Sequence, residues 1–211
     1  GAVSVLEYQE QGYLPDALLN YLVRLGWSHG DQEFFTRAQM IAAFDVRDIN
    51  KSVSALDPEK MLWLNQQHLI KAPPSEVVPH LRWHLAKLGV TAGDDALLEG
   101  IVLAQRERSK TLKEMAESSR FFFAESVTPE PKAAEKHLAP DSRAMLAEIR
   151  ARFAAQPEFT AAAVHATLES FAAEKGVGLG KGAQPLRPKS RGESISRSRR
   201  PTSSPSDGRI F

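Results

Sequence analysis

Residues 12–36 read GYLPDALLNYLVRLGWSHGDQEFFT, and this stretch decides the fold class. Pro15 suits a first helical position, where its missing N–H would have no partner in any case. Leu18, Leu19, Leu22 and Leu25 recur at helical spacing, and Gly26 supplies a stop. Ser28 to Glu33 is polar around Gly30, so a loop follows. Thr36 and Gln39 then form a capping box ahead of Met40, Ile41 and Phe44. The stretch therefore reads as helix, loop, helix, with no strand between.

The same grammar extends in both directions. Ser4 and Glu7 have capping-box spacing near the beginning. Asp57-Pro58 opens a helix with Met61, Leu62, Leu64, Leu69 and Ile70 on its apolar side. Pro73-Pro74 breaks the chain. A helix carrying Val77, Val78, Leu81, Leu85 and Leu88 runs to Gly89, and Asp94 or Asp95 opens another with Leu97, Leu98, Ile101 and Val102. Thr111 and Glu114 form a third capping box, for a helix ending near Phe121, Phe122 and Phe123. "ESVTPEP", 125–131, reads as a linker. Two further helices centre on "SRAMLAEIRARF" and "TAAAVHATLESFAAEKG". The expected fold class is all-α, with helices packed through apolar stripes.

Composition is ordinary for a globular chain of 211 residues, at 42% hydrophobic and 25% charged. There is no cysteine, which removes disulfides and thiolate metal sites and fits a reducing compartment. No run of eighteen apolar residues offers a membrane span. The net charge of +1 is uneven. Residues 188–211 hold six basic and two acidic residues, a net +4, which leaves −3 for residues 1–187. Nucleic-acid binding by the folded part would need a local basic patch. The tail from 188 has almost no apolar residues before its last two, so it is expected to be disordered.

Candidate sites are few. "GVGLGKG", 176–182, lacks the Ser or Thr and the preceding strand of a phosphate loop and reads as a turn after a helix stop. His80 and His84 share a helix face but lack a third ligand, so ordinary histidines are expected. Trp27, Trp63 and Trp83 lie among apolar residues and read as core, as do the three phenylalanines at 121–123, one of which could present a stacking face. Arg106, Arg108, Lys110 and Lys113 cluster across a helix end and the next helix start. They suit a solvated helix terminus or contacts to phosphates and base edges, for which arginine's planar fork is well shaped.

Four blocks together resemble bacterial glutamyl-tRNA synthetase: the opening 36 residues, "LDPEKMLWLNQQHL" (56–69), "RERSKTLKEM" (106–115) and "FAAEKGVGLGKGAQPLR" (171–187). They stand in the family's order and span nearly all of residues 1–187. The first resembles the segment that follows the family's KMSK-type signature. The resemblance implies a stem-contact region at 1–72, an anticodon-binding subdomain at 73–126, a second, truncated one at 127–187, and the tail. It implies that the Rossmann-type catalytic domain, with its HIGH-like and KMSK-like motifs, lies outside this sequence, so the chain has no catalytic residue or cofactor of its own. ATP and Mg would serve the parent enzyme, a cytoplasmic monomer that attaches glutamate to its tRNA.

The resemblance assigns tRNA anticodon contacts to Arg106, Arg108, Lys110, Lys113, Gln184 and Arg187. Arg108 matches the arginine that reads the third anticodon base and favours strict recognition of glutamate tRNA over glutamine tRNA. Lys110 and Lys113 would meet phosphates, while Val3 to Leu6 and Lys60 would lie near the inner side of the tRNA's L. Two departures stand out: Gly182, where the family has an apolar residue, and everything after Arg187, where the family continues as helices. Arg, Ser, Pro and Gly enrichment is what a GC-rich gene gives out of frame, so a frameshift is expected near residues 182–188. The alternative is a genuine basic tail that adds unspecific RNA affinity. Without the missing helices, Leu146, Ile149, Phe153, Leu168 and Phe171 are expected to form an exposed patch.

Overall fold

The structure, a computed structural model, describes residues 4–50, 55–124, 131, 135, 140–176 and 178, without the side chains of 140 and 141. It divides into two compact units, Gly1–Thr128 and Pro129–Phe211. All regular elements among the described residues are helical, as expected. None of these helices is long and apolar enough to cross a membrane. The expectations for the tail, Gly182, Gln184 and Arg187 lie outside the described residues.

In the first unit, α1 (Val5–Gln11) starts at Ser4, whose hydroxyl accepts from the Leu6 amide. The Glu7 amide bonds the Ser4 carbonyl rather than its hydroxyl, so Ser4 caps the helix without the expected box. The helix ends at Gly12, with φ of 92°. Next, α2 (Pro15–Gly26) follows from the first-turn proline. The capping box at Thr36 and Gln39 is complete and opens α3 (Arg37–Ala43). A 3₁₀ turn at Val46–Asp48, which nothing in the apolar pattern signals, follows. Asp57 caps α4 (Pro58–Lys71), and α5 (Pro74–Lys87) begins directly after Pro73. Asp94 caps α6 (Asp95–Gln105) and Thr111 caps α7 (Leu112–Ser119), which tightens into 3₁₀ at Arg120–Phe123.

The main core joins α5, α6 and α7 through Val77, Leu81, Leu85, Leu98, Ile101 and Met115. It also takes Leu14 and Ala17 from the start of α2 and Leu69 from α4, so residues on both sides of the Pro73-Pro74 break share one core. Each buried leucine of this kind contributes about 1.5–3 kcal/mol through removal from water. A second cluster of Leu18, Tyr21, Met61 and Leu64 packs α2 on α4, and a third holds Trp27, Phe35 and Met40.

The inward faces of α2 and α4 differ from the apolar spacing. Leu19 and Leu22 are exposed, whereas Asn20 and Tyr21 are buried. In α4 the buried set is Met61, Leu64, Asn65, His68 and Leu69. The physical reason is that each inward polar group finds a specific partner. The Asn20 side chain accepts from the Phe35 amide at 2.9 Å and donates to the Glu33 carbonyl at 3.1 Å. Tyr21 Oη accepts from the Asp57 amide at 2.5 Å. Trp63, expected in the core, is 44% exposed, and Phe121 and Phe122 are exposed as a close ring pair.

In the second unit, α8 (Pro140–Ala154) and α9 (Ala161–Glu174) pack as a hairpin. Thr160 caps α9, and Gly176 follows its end with φ of 63°. Of the residues expected to form an exposed patch, Ile149 and Phe171 are each only 1% exposed. Leu146, Phe153 and Leu168 are half-buried, while Phe159 is the exposed aromatic. The Arg152 guanidinium lies over the Phe171 ring at 5.1 Å and bonds both Glu148 and Glu174, so an ion-pair network covers this ring.

Candidate nucleic-acid interface

The basic cluster sits on the 106–111 connection between α6 and α7. Its main chain is tightly held. The amides of Arg108 and Ser109 both donate to the Gln105 carbonyl, at 2.9 and 3.0 Å. Gln66 Nε2 donates to the Glu107 carbonyl at 3.1 Å. The Lys110 amide donates to the Glu114 carboxylate at 2.8 Å, and the Lys110 carbonyl accepts from Asn65 Nδ2 at 2.7 Å. Thr111 Oγ1 accepts from the Glu114 amide at 3.1 Å. The expected box at Thr111 is thus shifted: Glu114 reaches back to Lys110, one residue ahead of the cap.

Beneath this turn lie Gly12 and Asn65. The Gly12 carbonyl accepts from the Leu112 amide at 2.9 Å. Asn65 is fully buried; its Oδ1 accepts from the Leu14 amide at 2.8 Å, and its Nδ2 also points to the Gly12 carbonyl at 3.4 Å. A Cβ on Gly12 would collide with the main-chain nitrogens of Leu112 and Lys113. Glycine is required here by close approach as well as by φ.

The side chains on this frame point elsewhere. Ser109 and Thr111 are buried, Arg106 is half-buried, and Arg108 and Lys110 are exposed. Among the described residues, no carboxylate lies within ion-pair distance of Arg106, Arg108 or Lys110. Rigid backbone under unpaired guanidinium groups is the arrangement that an anionic or base-edge ligand needs, because little ordering remains to be done on binding.

Lys113 differs from the other three. It lines a groove of about 380 Å³ together with Glu7, Glu10, His84, Lys87 and Glu117. Glu10 is held below its usual carboxylate range, first by Lys87 and to a smaller degree by Lys113. The structure thus brings Arg106, Arg108 and Lys110 onto one connection and places Lys113 next to acidic neighbours.

His80 is half-buried on α5. His84 is buried, and its pKa is pushed down to about 4 by burial. Among the described residues no three ligands group to hold a metal. Gly12, Asn65, Gln66 and Glu114 are the site residues that reading the sequence for charge and aromatics misses. Glu114 carried a signal as the capping-box partner of Thr111, and Asn65 carried one as a polar residue one helical turn from Met61 on the apolar side of α4.

Residues 76–193 match the family model described as anticodon binding domain. Residues 2–63 match the model for the catalytic domain of class I tRNA synthetases (E and Q), although they contain neither a HIGH-like nor a KMSK-like motif. A glutamate–tRNA ligase of Alkalilimnicola ehrlichii is 49% identical over 187 residues, covering 89% of this chain and 40% of that protein. One of Nitrosococcus oceani is 48% identical over 196 residues, covering 93% of this chain and 42% of that protein. The crystal structure of a glutamate tRNA ligase from Elizabethkingia meningosepticum, in complex with its amino acid, superposes with a TM-score of 0.72 at 29% identity over 85% of this chain and 36% of that one. The chain therefore spans about two fifths of the length of these relatives.

The regular elements among the described residues are all helical, and more than half of the chain matches the anticodon binding domain model. The chain belongs to the anticodon-binding domain family, and its resemblance to bacterial glutamyl-tRNA synthetase is borne out by these relatives.

Proposed function

We propose that this chain recognises the tRNA for glutamate through its anticodon, with Arg108 reading the third anticodon base. In this reading residues 1–72 contact the tRNA stem, and residues 73–126 and 127–187 form the two anticodon-binding subdomains. Arg106, Lys110 and Lys113 hold phosphates, with Lys113 the weakest because Glu7, Glu10 and Glu117 share its groove. Gln184 and Arg187 supply further anticodon contacts. The whole protein would attach glutamate to this tRNA with ATP and Mg, acting as a cytoplasmic monomer.

The observation that carries the reading is the exposed, unpaired Arg108 on a hydrogen-bonded turn, within the stretch that matches the anticodon-binding family. An anticodon base is unstacked and shows its Watson–Crick edge, so a guanidinium fork can donate two hydrogen bonds to acceptor atoms on that edge. Arg108→Ala is expected to cost about 1–3 kcal/mol of discrimination at the third base, as other bidentate base contacts do. The test compares binding of glutamate tRNA with tRNAs altered at each anticodon position. Equal weakening on every tRNA would show that Arg108 meets a phosphate, and it would overturn the assignment.

A further inference from the structure

The Arg108 turn is held from below by residues that belong to a different part of the sequence. Asn65 is the hub. One side-chain amide ties three segments: it accepts from Leu14 at the start of α2, donates to Lys110 in the turn, and approaches the Gly12 carbonyl at the end of α1. The Gly12 carbonyl in turn takes the Leu112 amide, so α7 is fixed to the same point. Lys110 is gripped on both faces of its peptide units, by Asn65 and by Glu114. Asn65 has no exposed surface and cannot touch RNA itself.

We propose that Asn65 is a positioning residue for anticodon reading: its side-chain amide, with Gly12, sets the height and direction of the turn that presents Arg108. The proposal rests on Arg108 being the base-reading residue. A bidentate contact tolerates little displacement, because both donors must reach their acceptors at once. Phosphate contacts from flexible lysines tolerate much more. Loss of the Asn65 bond therefore acts on discrimination before it acts on overall affinity. Gln66, one residue on, holds the Glu107 carbonyl and assists from the same helix. The recognition site thus includes α4, upstream of the residues matched by the anticodon-binding family model.

Asn20 provides a matched control. It is equally buried, likewise accepts from one main-chain amide and donates to a main-chain carbonyl, and serves the 33–35 segment and His68 rather than the turn. Four variants of the 211-residue chain, Asn65→Ala, Asn65→Asp, Asn20→Ala and Arg108→Ala, are titrated with glutamate tRNA and with a tRNA altered only at the third anticodon base. The readout is the ratio of the two affinities, with urea midpoints measured alongside. Asn65→Ala and Arg108→Ala are expected to lower the ratio about tenfold, the size of one lost bidentate base contact. Asn20→Ala is expected to lower the urea midpoint as much as Asn65→Ala does while leaving the ratio unchanged. Asn65→Asp, which keeps the acceptor for Leu14 but loses the amide donors, should behave like Asn65→Ala in the ratio.

An unchanged ratio in Asn65→Ala beside a reduced one in Arg108→Ala overturns the positioning role and leaves the base-reading role intact. Equal loss of the ratio in Asn65→Ala and Asn20→Ala also overturns it, since general loosening would then be the cause. An unchanged ratio in Arg108→Ala overturns the base-reading role and the positioning role with it.

Discussion

Gly12 shows how one residue can fix the register of distant segments. Its φ of 92° and the main chain of Leu112 and Lys113 against its α-carbon leave no room for a side chain. Gly12→Ala must therefore strain the backbone and push α7 away. We expect a loss of about 2 kcal/mol or more in urea unfolding, from a left-handed alanine plus displaced packing. A variant as stable as the parent would mean that the approach of the two segments is looser than described.

The buried histidines make a second prediction at this scale. His68 Nε2 lies 3.1 Å from Asn20 Oδ1; since an amide oxygen can only accept, the ring donates. Burial pushes the pKa of His68 and of His84 down from 6.5 to about 4. Asp16 opposes this shift and Lys71 adds to it at His68; the Gln9 carbonyl opposes it and Lys87, His80 and Lys113 add to it at His84. The unfolded chain takes up these protons near pH 6.5 and the folded chain only near pH 4, so stability falls as pH drops through that window and levels off below it. Each ring accounts for up to about 3 kcal/mol of this loss. His68→Gln should therefore be less destabilising relative to the parent at pH 5 than at pH 7. A difference independent of pH would rule out the titration.

At the scale of elements, the ends of helices were more legible than their faces. Pro15, Asp57, Asp94, Thr111 and Thr160 all open helices, as their side-chain chemistry predicts, and Gly12, Gly89 and Gly176 take the positive φ that ends them. Capping is local, so a few adjacent residues suffice to read it. The inward faces of α2 and α4 were misread because they carry Asn20, Asn65 and His68. Those groups are paid for by partners up to 53 residues away, which no local pattern contains. The same limit applied to the site. The cations at 106–113 were visible from composition, whereas the frame that separates Arg108 from Lys113 in environment came from Gly12, Asn65 and Glu114.

At the scale of the molecule, charge and fold divide the work. The first unit carries the basic turn on a single core shared by α2, α4, α5, α6 and α7. The second is a helix hairpin whose described surface is laced with ion pairs among Glu148, Arg152, Glu174 and Lys175. Phosphate contacts give an affinity that falls linearly in log–log form with salt, whereas base contacts give a ratio between tRNAs. The two contributions can therefore be separated in one experiment on the whole chain.

The most direct measurement is a titration of the 211-residue chain with glutamate tRNA and with a tRNA changed only at the third anticodon base, at two salt concentrations. The account predicts tighter binding of the natural anticodon at both concentrations, with both affinities falling together as salt rises. Equal binding of the two tRNAs, with the same steep loss in salt, would mean that phosphates alone are read and would contradict anticodon recognition by this chain.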